Sequence, residues 1–471
     1  VRILIFHGYL LSGTGSNVYN ARLAEALVRL GHEVHLFSQD RHPERYSFVD
    51  AVGDWDSGKL EVESLEKSTT GGPRCTVYRP DIGGLLPLYV YDRYEGTDAK
   101  TFAECTDPEI AAYVQANVEA VREVAERVRP DVALANHLVM GPVILARALT
   151  SKTPYAVKVH GSALEYTVKP EPERFLGFAR EGLAQAQTVL VGSKHTAESL
   201  WQALAEPTLE QRTRLGPPGV DVERFAPREP ERAAAELTAL IERLRAGGGA
   251  AGYSEGAFAR DELAVADALE RLSTGEGELV AFVGKLIAAK GVDLLLDAWP
   301  LVLRRRPQAR LALIGFGSEL ERFQAQAAPL GDRVIFTGRL DHDELCHVLA
   351  LCEVLVVPST FPEAFGMVAV EAAACGVLPV SAAHSGLAEV SEAIAEVLPP
   401  EASAWLSFAV DDGAVRAIAE RVVGWLEADR ALKARTREAL VSVAHERWSW
   451  EGVARGVIAA AHGEPVARPF G

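Results

Sequence analysis

An α/β chain made of two doubly wound, Rossmann-like halves is predicted by three features of the sequence. Its 471 residues exceed what one hydrophobic core organises. Short Val/Ile/Leu-rich runs alternate with longer segments of helical periodicity, the pattern of parallel strands covered by helices on both faces. The alternation comes in two series separated by a segment of different composition.

The first series opens with strand-like residues 2–7, a glycine-bearing loop at 8–16 and a helical pattern over 17–30. In that pattern Ala21, Leu23, Ala24, Leu27 and Leu30 recur at helical spacing before Gly31 ends the run. Further strands are expected at 34–37, 132–135, 155–159 and 188–191, and the Gly216 to Gly219 turn closes the half. The second series places strands at 279–283, 309–314, 334–337, 354–357 and 378–381. Residues 227–277, rich in Ala, Glu and Arg and interrupted by glycines at 247–252, read as a helical insertion with a solvated face and a loop. The expected domains are therefore 1–220, a linker and helical insertion at 221–277, a second domain at 278–445, and a terminal helix at 446–471, opened by Trp448 and Trp450, that returns to the first domain.

With 48 Lys plus Arg against 65 Asp plus Glu, the formal charge of -17 repels nucleic acid and anionic lipid. No nucleic-acid partner is expected and membrane contact is disfavoured. Cys75, Cys105, Cys346, Cys352 and Cys375 form an odd set without C-x-x-C spacing, which fits reduced thiols rather than a disulfide or zinc framework. The first residues read as a strand and not a signal peptide, and apolar runs are short or interrupted by His137 and Arg147. The expectation is a cytoplasmic chain without a transmembrane helix.

The segment from Pro362 to Gly376 carries the strongest chemical signal. Glu363 follows a strand and its loop, whereas Glu371 lies within a run of Ala and Val where a carboxylate is costly to bury without a partner. That partner could be a ligand. A helix starting near Phe365 would offer unpaired N–H groups and the positive end of its dipole to phosphate oxygens.

Glu363 and Glu371 in E-x7-E spacing, with Phe365-Gly366 and Cys375-Gly376, resemble the donor-site signature of the retaining glycosyltransferases of family 4, the group 1 enzymes of GT-B fold. The resemblance implies that Glu363 contacts sugar hydroxyls and Glu371 the nucleotide ribose. It assigns the sugar and diphosphate to backbone groups of Ala364, Phe365, Gly366, Met367 and Val368. Gly13, Gly15 and Ser16 are similar to the N-terminal glycine loop, where missing side chains let backbone approach a phosphate or acceptor; a tight turn without ligand accounts for them equally well. Lys285 and Lys290, flanking a strand exit, would clamp the leaving diphosphate. The family commonly has Arg at the first position, so Lys285 gives up a bidentate grip.

His160, after the strand at 155–159, stands where the family carries a histidine that contacts the transferred sugar, and His137 is expected to play a supporting or structural role. Gly315 belongs to a glycine loop like the family's, and Arg339 and Leu340 stand where backbone commonly meets the base. The segment from Gly219 to Pro227 resembles the hinge-side motif. Asp341 and Asp343 form a D-x-D, which binds metal in other glycosyltransferases, but Asp341 with Glu344 three residues on reads as a capping box. No metal and no other cofactor is expected. Tyr89, Tyr91, Tyr94 and Phe102 fall where the family holds its acceptor, and ordinary aromatic packing explains them too.

The function implied is retaining transfer of a hexose-type sugar from a UDP- or GDP-sugar to the hydroxyl of a small molecule or glycan. Acceptor and donor would be held by the first and second domains on the two sides of a cleft. A sugar phosphorylase would differ in needing free phosphate, a nucleotide-sugar epimerase in turning over without acceptor, and a non-catalytic sugar-nucleotide binding protein in neither transferring nor hydrolysing the donor.

Overall fold

Aliphatic runs such as Ile3-Leu4-Ile5-Phe6 have no polar member to meet water, and they become strands covered on both faces. The computed structural model describes residues 1–65, 74–89, 98–247 and 260–464. It divides into two units: Val1–Gly219 with Trp450–Gly471 forms unit 1, and Val220–Ser449 forms unit 2.

Unit 1 contains the strands β1 (Arg2–Phe6), β2 (Glu33–Phe37), β3 (Ala51–Asp56), β4 (Lys59–Ser64), β5 (Cys75–Arg79), β6 (Leu85–Leu88), β7 (Asp98–Thr101), β8 (Val132–Asn136), β9 (Tyr155–Val159), β10 (Thr188–Val191) and β11 (Thr213–Leu215). Nine of them make one sheet in the order β11-β10-β9-β8-β1-β2-β5-β3-β4, parallel except for the β3–β4 pair, while β6 and β7 pair separately. Phe6 registers with Phe37 on one side and Ala135 on the other. The order reverses between β1 and β8, so the loops after these two strands flank a switch point, where doubly wound sheets bind ligands. Helix Gly15–Arg29 packs with the terminal helix Trp450–His462 on one core. The indole of Trp450 lies against Gly219, where a Cβ would come within 2.6 Å of the ring.

Unit 2 contains β12 (Leu279–Val283), β13 (Arg310–Ile314), β14 (Val334–Gly338), β15 (Val354–Val357), β16 (Leu378–Ala382) and β17 (Ser407–Phe408), all parallel in the order β14-β13-β12-β15-β16-β17. Its switch point lies between β12 and β15.

Two boundaries differ from the sequence expectation. The segment 221–277 is not a free-standing linker: helices Pro230–Arg245 and Glu262–Thr274 pack on each other, the second also on β14, and Leu237, Leu240, Leu244, Val265 and Leu269 join the core of unit 2. The terminal helix starts at Trp450 rather than 446. Helix Arg430–Trp448 belongs to unit 2, where Trp448 is buried and its carbonyl accepts from Val220 N–H at 2.6 Å, and extended Ser449 separates the two helices.

Candidate active site

In unit 2 the loops leaving β12 and β15 are tied together at the switch point. Gly291 adopts φ +65°, and a Cβ there would collide with the carbonyl oxygen of Pro358, so only glycine allows this approach. Thr360 N–H donates to Ala289 O at 3.0 Å, and Ser359 Oγ lies 3.3 Å from the same oxygen. On this base Lys290 Nζ pairs with Glu363 Oε1, which also accepts from Ser359 Oγ at 2.7 Å. The Glu363 backbone is held as well, its N–H donating to Ser385 Oγ at 2.9 Å and its carbonyl accepting from Gly386 N–H at 2.9 Å. The Lys290 and Glu363 side chains keep 31% and 25% of their surface exposed, so a ligand can reach both.

The helix after Glu363 is Met367–Ala374, with Gly366 at φ +127° as its N-cap. It begins two residues beyond the expected start at Phe365. Its first turn contains no acidic residue, so nothing on the helix competes with an anion for those amides. Ala364 and Phe365 lie so close to Gly386 that a Cβ there would come within 2.6 Å of Phe365 N and Cα. Glu371 is 2% exposed among Ala369, Val370, Ala372 and Ala373, and its partner within the chain is His342, whose Nε2 lies 2.6 Å from Oε1. The His342 ring lies 5.1 Å from that of Phe225. Sequence reasoning missed His342, because nothing local joins it to a carboxylate in a different helix.

The remaining residues of unit 2 sit at the ends of β12, β13 and β14. Gly315 has φ +149°, its N–H donates to Gly338 O at 3.0 Å, and a Cβ would collide with Gly284 O; strand-end packing thus accounts for this glycine. Arg339 donates to Asp341 Oδ1 at 2.7 Å, its carbonyl accepts from Arg260 at 3.3 Å, and Leu340 is half-buried beside it. Asp341 and Glu344 form the capping box of helix His342–Leu349, while Asp343 pairs with Arg224. Burial raises the Glu344 carboxyl, but hydrogen bonds from Arg260 and the Asp341 amide outweigh it and bring the group below its ordinary range. Lys285 is exposed and has no hydrogen bond or ion pair from its side chain among the described residues, Glu363 included.

At the switch point of unit 1, Gly13 needs its glycine because φ is +94°. Gly15 does not: it opens helix Gly15–Arg29 with an ordinary backbone, and an added Cβ would meet nothing within 4 Å. Ser16 Oγ lies 3.4 Å from Thr14 Oγ1. His160 follows β9, half-buried, with Nε2 at 2.8 Å from Asn136 Oδ1 and its ring 5.0 Å from those of Tyr19 and His137. Burial holds its imidazole well below the usual histidine range. His137 is 2% exposed, with both ring nitrogens unpartnered among the described residues and φ +68°, its ring centred 4.4 Å from that of Tyr89. Tyr89 and Phe102 are buried against each other at 5.2 Å, with Tyr89 donating to Val139 O, which makes them packing and not an open sugar platform. Tyr91 and Tyr94 lie outside the described residues.

Asn20, Asn136 and Lys158 were not singled out from the sequence. Lys158 is 2% exposed, donates to Gly216 O at 2.6 Å and lies 5.6 Å over the Tyr19 ring, and burial pushes it down to about 7.

Two doubly wound units, each with polar groups gathered at the carboxyl ends of its strands, give the chain the GT-B fold. Solved structures of this fold align along nearly its whole length. Sucrose-phosphate synthase from Thermosynechococcus elongatus covers 96% of both chains with TM-score 0.59 and 21% identity. Anabaena HepE, crystallised with UDP and glucose, covers 98% of this chain and 99% of its own with TM-score 0.57 and 18% identity. Two family descriptions match the sequence, "Glycosyl transferases group 1" over residues 270–439 and "Glycosyl transferase 4-like domain" over 14–209. The chain belongs to the group 1 glycosyltransferases, family 4.

Among its relatives, the D-inositol 3-phosphate glycosyltransferase of Frankia alni is 29% identical over 398 residues, 79% of this chain and 78% of that protein. The GDP-mannose-dependent alpha-(1-6)-phosphatidylinositol monomannoside mannosyltransferase of Mycolicibacterium smegmatis is 33% identical over 178 residues, 36% of this chain. That match spans only 38% of the mannosyltransferase's length. Among the described residues no helix is long and apolar enough to cross a membrane.

Proposed function

We propose that this chain transfers a hexose-type sugar from a nucleotide diphosphate sugar, UDP- or GDP-linked, to an acceptor hydroxyl with retention of anomeric configuration. The observation that carries the reading is the Lys290–Glu363 pair beside an acid-free helix start at the switch point of unit 2. The relatives' names point the same way, one of them being GDP-mannose-dependent.

In this reading Lys290 exchanges its carboxylate partner for the diphosphate and, with the amides of Met367 and Val368, stabilises the negative charge that grows as the glycosidic bond to phosphate breaks. Glu363, released from Lys290 but still held by Ser359, orients the hydroxyls of a sugar that becomes oxocarbenium-like. Glu371 receives the ribose, and the acceptor attacks from the face the diphosphate leaves. Lys285, exposed and without a side-chain partner among the described residues, is available to the phosphates as a point charge. No step calls on a metal, so turnover in excess EDTA should equal turnover without it; a reversible loss would contradict this.

The test is a panel of UDP-, GDP- and ADP-sugars scored by thermal shift, followed by turnover of Glu363→Ala with the donor that binds. A bound donor stabilises the native state in proportion to ligand concentration over Kd. Loss of turnover by about a hundredfold or more with donor stabilisation retained supports the assignment. Unchanged turnover in a folded Glu363→Ala chain would falsify it.

A further inference from the structure

The polar groups at the switch point of unit 1 form one continuous chain of hydrogen bonds whose direction is set by backbone carbonyls. His7 Nε2 lies 2.9 Å from Leu10 O and 3.0 Å from Asn17 Oδ1, so it must carry the proton, and Nδ1 is left as a lone pair. Asn20 Nδ2 donates to that Nδ1 at 3.1 Å and to Ser16 O at 2.9 Å, which fixes the orientation of its amide and turns Oδ1 toward Asn136. Asn136 Nδ2 donates to Asn20 Oδ1 at 2.7 Å and to Phe6 O at 3.2 Å, again with a carbonyl ruling out the flipped amide. Its Oδ1 therefore faces His160 Nε2 at 2.8 Å, and His160 must be the donor. His7, Asn20 and Asn136 are all 2% exposed or less, so water does not compete for these bonds.

We infer that His7, Asn20 and Asn136 are positioning residues that lock His160 as its Nε2–H tautomer and present Nδ1 as a hydrogen-bond acceptor for a ligand hydroxyl. Burial of His160, with His137 and Lys158 close by, keeps the ring from taking a second proton. A lone pair refuses a phosphate oxygen, which is itself only an acceptor, and takes the O–H of a sugar. The choice of a sugar hydroxyl as partner rests on the proposed function; the tautomer does not. The relay also reaches the glycine loop, since His7 and Asn17 hold the carbonyls of Leu10 and Ser12, the latter at 2.6 Å.

The test uses the full chain labelled with 15N-histidine, with His160 assigned by comparison with His160→Gln. Long-range 1H–15N spectra at pH 7.5 should show His160 protonated at Nε2 alone, in the free chain and with donor bound. A proton on Nδ1 overturns the relay. Asn136→Leu should mix the two tautomers and raise the KM for the nucleotide sugar about tenfold, the loss of one oriented neutral hydrogen bond. Affinity for the free nucleoside diphosphate should stay within about twofold, because no relay residue faces phosphate. Asn20→Ser, a milder change that leaves Asn136 its bond to Phe6 O, should move both readouts the same way and serves if Asn136→Leu does not fold. Equal losses of sugar-linked and free nucleotide would make the network merely structural. Should Glu363→Ala turn over normally while His160 keeps its Nε2 proton, the donor assignment fails and the relay stands.

Discussion

A glycine or a carboxylate is informative at the residue scale when the fold alone does not explain it. Gly15 is such a residue: its backbone is ordinary and a methyl group would touch nothing. Conformation demands Gly13 and packing demands Gly315, but a ligand is the reading that gives Gly15 a reason. Gly15→Ala should therefore leave Tm unchanged or raise it, since Ala gains up to about 1 kcal/mol over Gly in a helix. At the same time kcat/KM should fall about tenfold or more; an alanine variant with normal kinetics would remove the loop from the site. Glu371 poses the converse case, a carboxylate shut away from water with His342 as its partner. His342→Leu should lower stability by about 1–3 kcal/mol, the range for orphaning a buried polar group. It should also weaken nucleotide binding, by letting the carboxylate turn from the ribose it is proposed to hold; titration of the free nucleotide with the folded variant reads this directly.

At the scale of elements, the candidate site of unit 2 depends on loops pressed together at strand ends. Gly291→Ala must move either its own loop or Pro358, because both the left-handed φ and the carbonyl contact forbid a Cβ. A cost of about 1–3 kcal/mol is expected, together with loss of donor-induced thermal shift, since Lys290 is the preceding residue. Gly331→Ala is the comparison: its backbone, at φ +55° and ψ -135°, also favours glycine but nothing lies within 4 Å, so it should lose stability by about 1–3 kcal/mol and keep donor binding. The central strands on which these loops stand were legible in the sequence, because Ile3 to Phe6 of β1 and all of β12 and β15 are unbroken apolar runs. The pair β3 and β4 was not: Lys59–Ser64 is polar and mostly exposed at a sheet edge, so it carries no core signal. That Glu363, Lys290 and His160 each follow a strand at its carboxyl end was legible. His342 and Asn20 were not, since their meaning comes from partners 29 and 116 residues away that only the fold supplies.

For the molecule as a whole, the two units differ in the bases they bury, and this sets their response to acid. Unit 1 encloses His7, His137, His160 and Lys158; burial pushes His7 to about 4 and Lys158 to about 7, and holds His137 and His160 well below the histidine range. Between pH 6.5 and about 4 the unfolded chain takes up protons that native His7 refuses, and between 10.5 and about 7 the same holds for Lys158. The unfolded state binds more protons in both windows, so the stability of unit 1 rises with pH and is lost as pH falls. In unit 2 His347, half-buried beside Glu236, is lowered in the same sense, but the buried carboxyl Glu344 is held below its ordinary 4.5 and weakens its unit only in stronger acid. Lowering the pH of the full chain from 7.5 to 5 should therefore loosen unit 1 first. Native-state hydrogen exchange, corrected for the intrinsic pH dependence of amide exchange, should show peptides from β1, β8 and β9 losing protection while those from β12, β13 and β15 retain it. Equal loss in both sets, or earlier loss in unit 2, would mean that the buried histidines of unit 1 do not govern its acid stability.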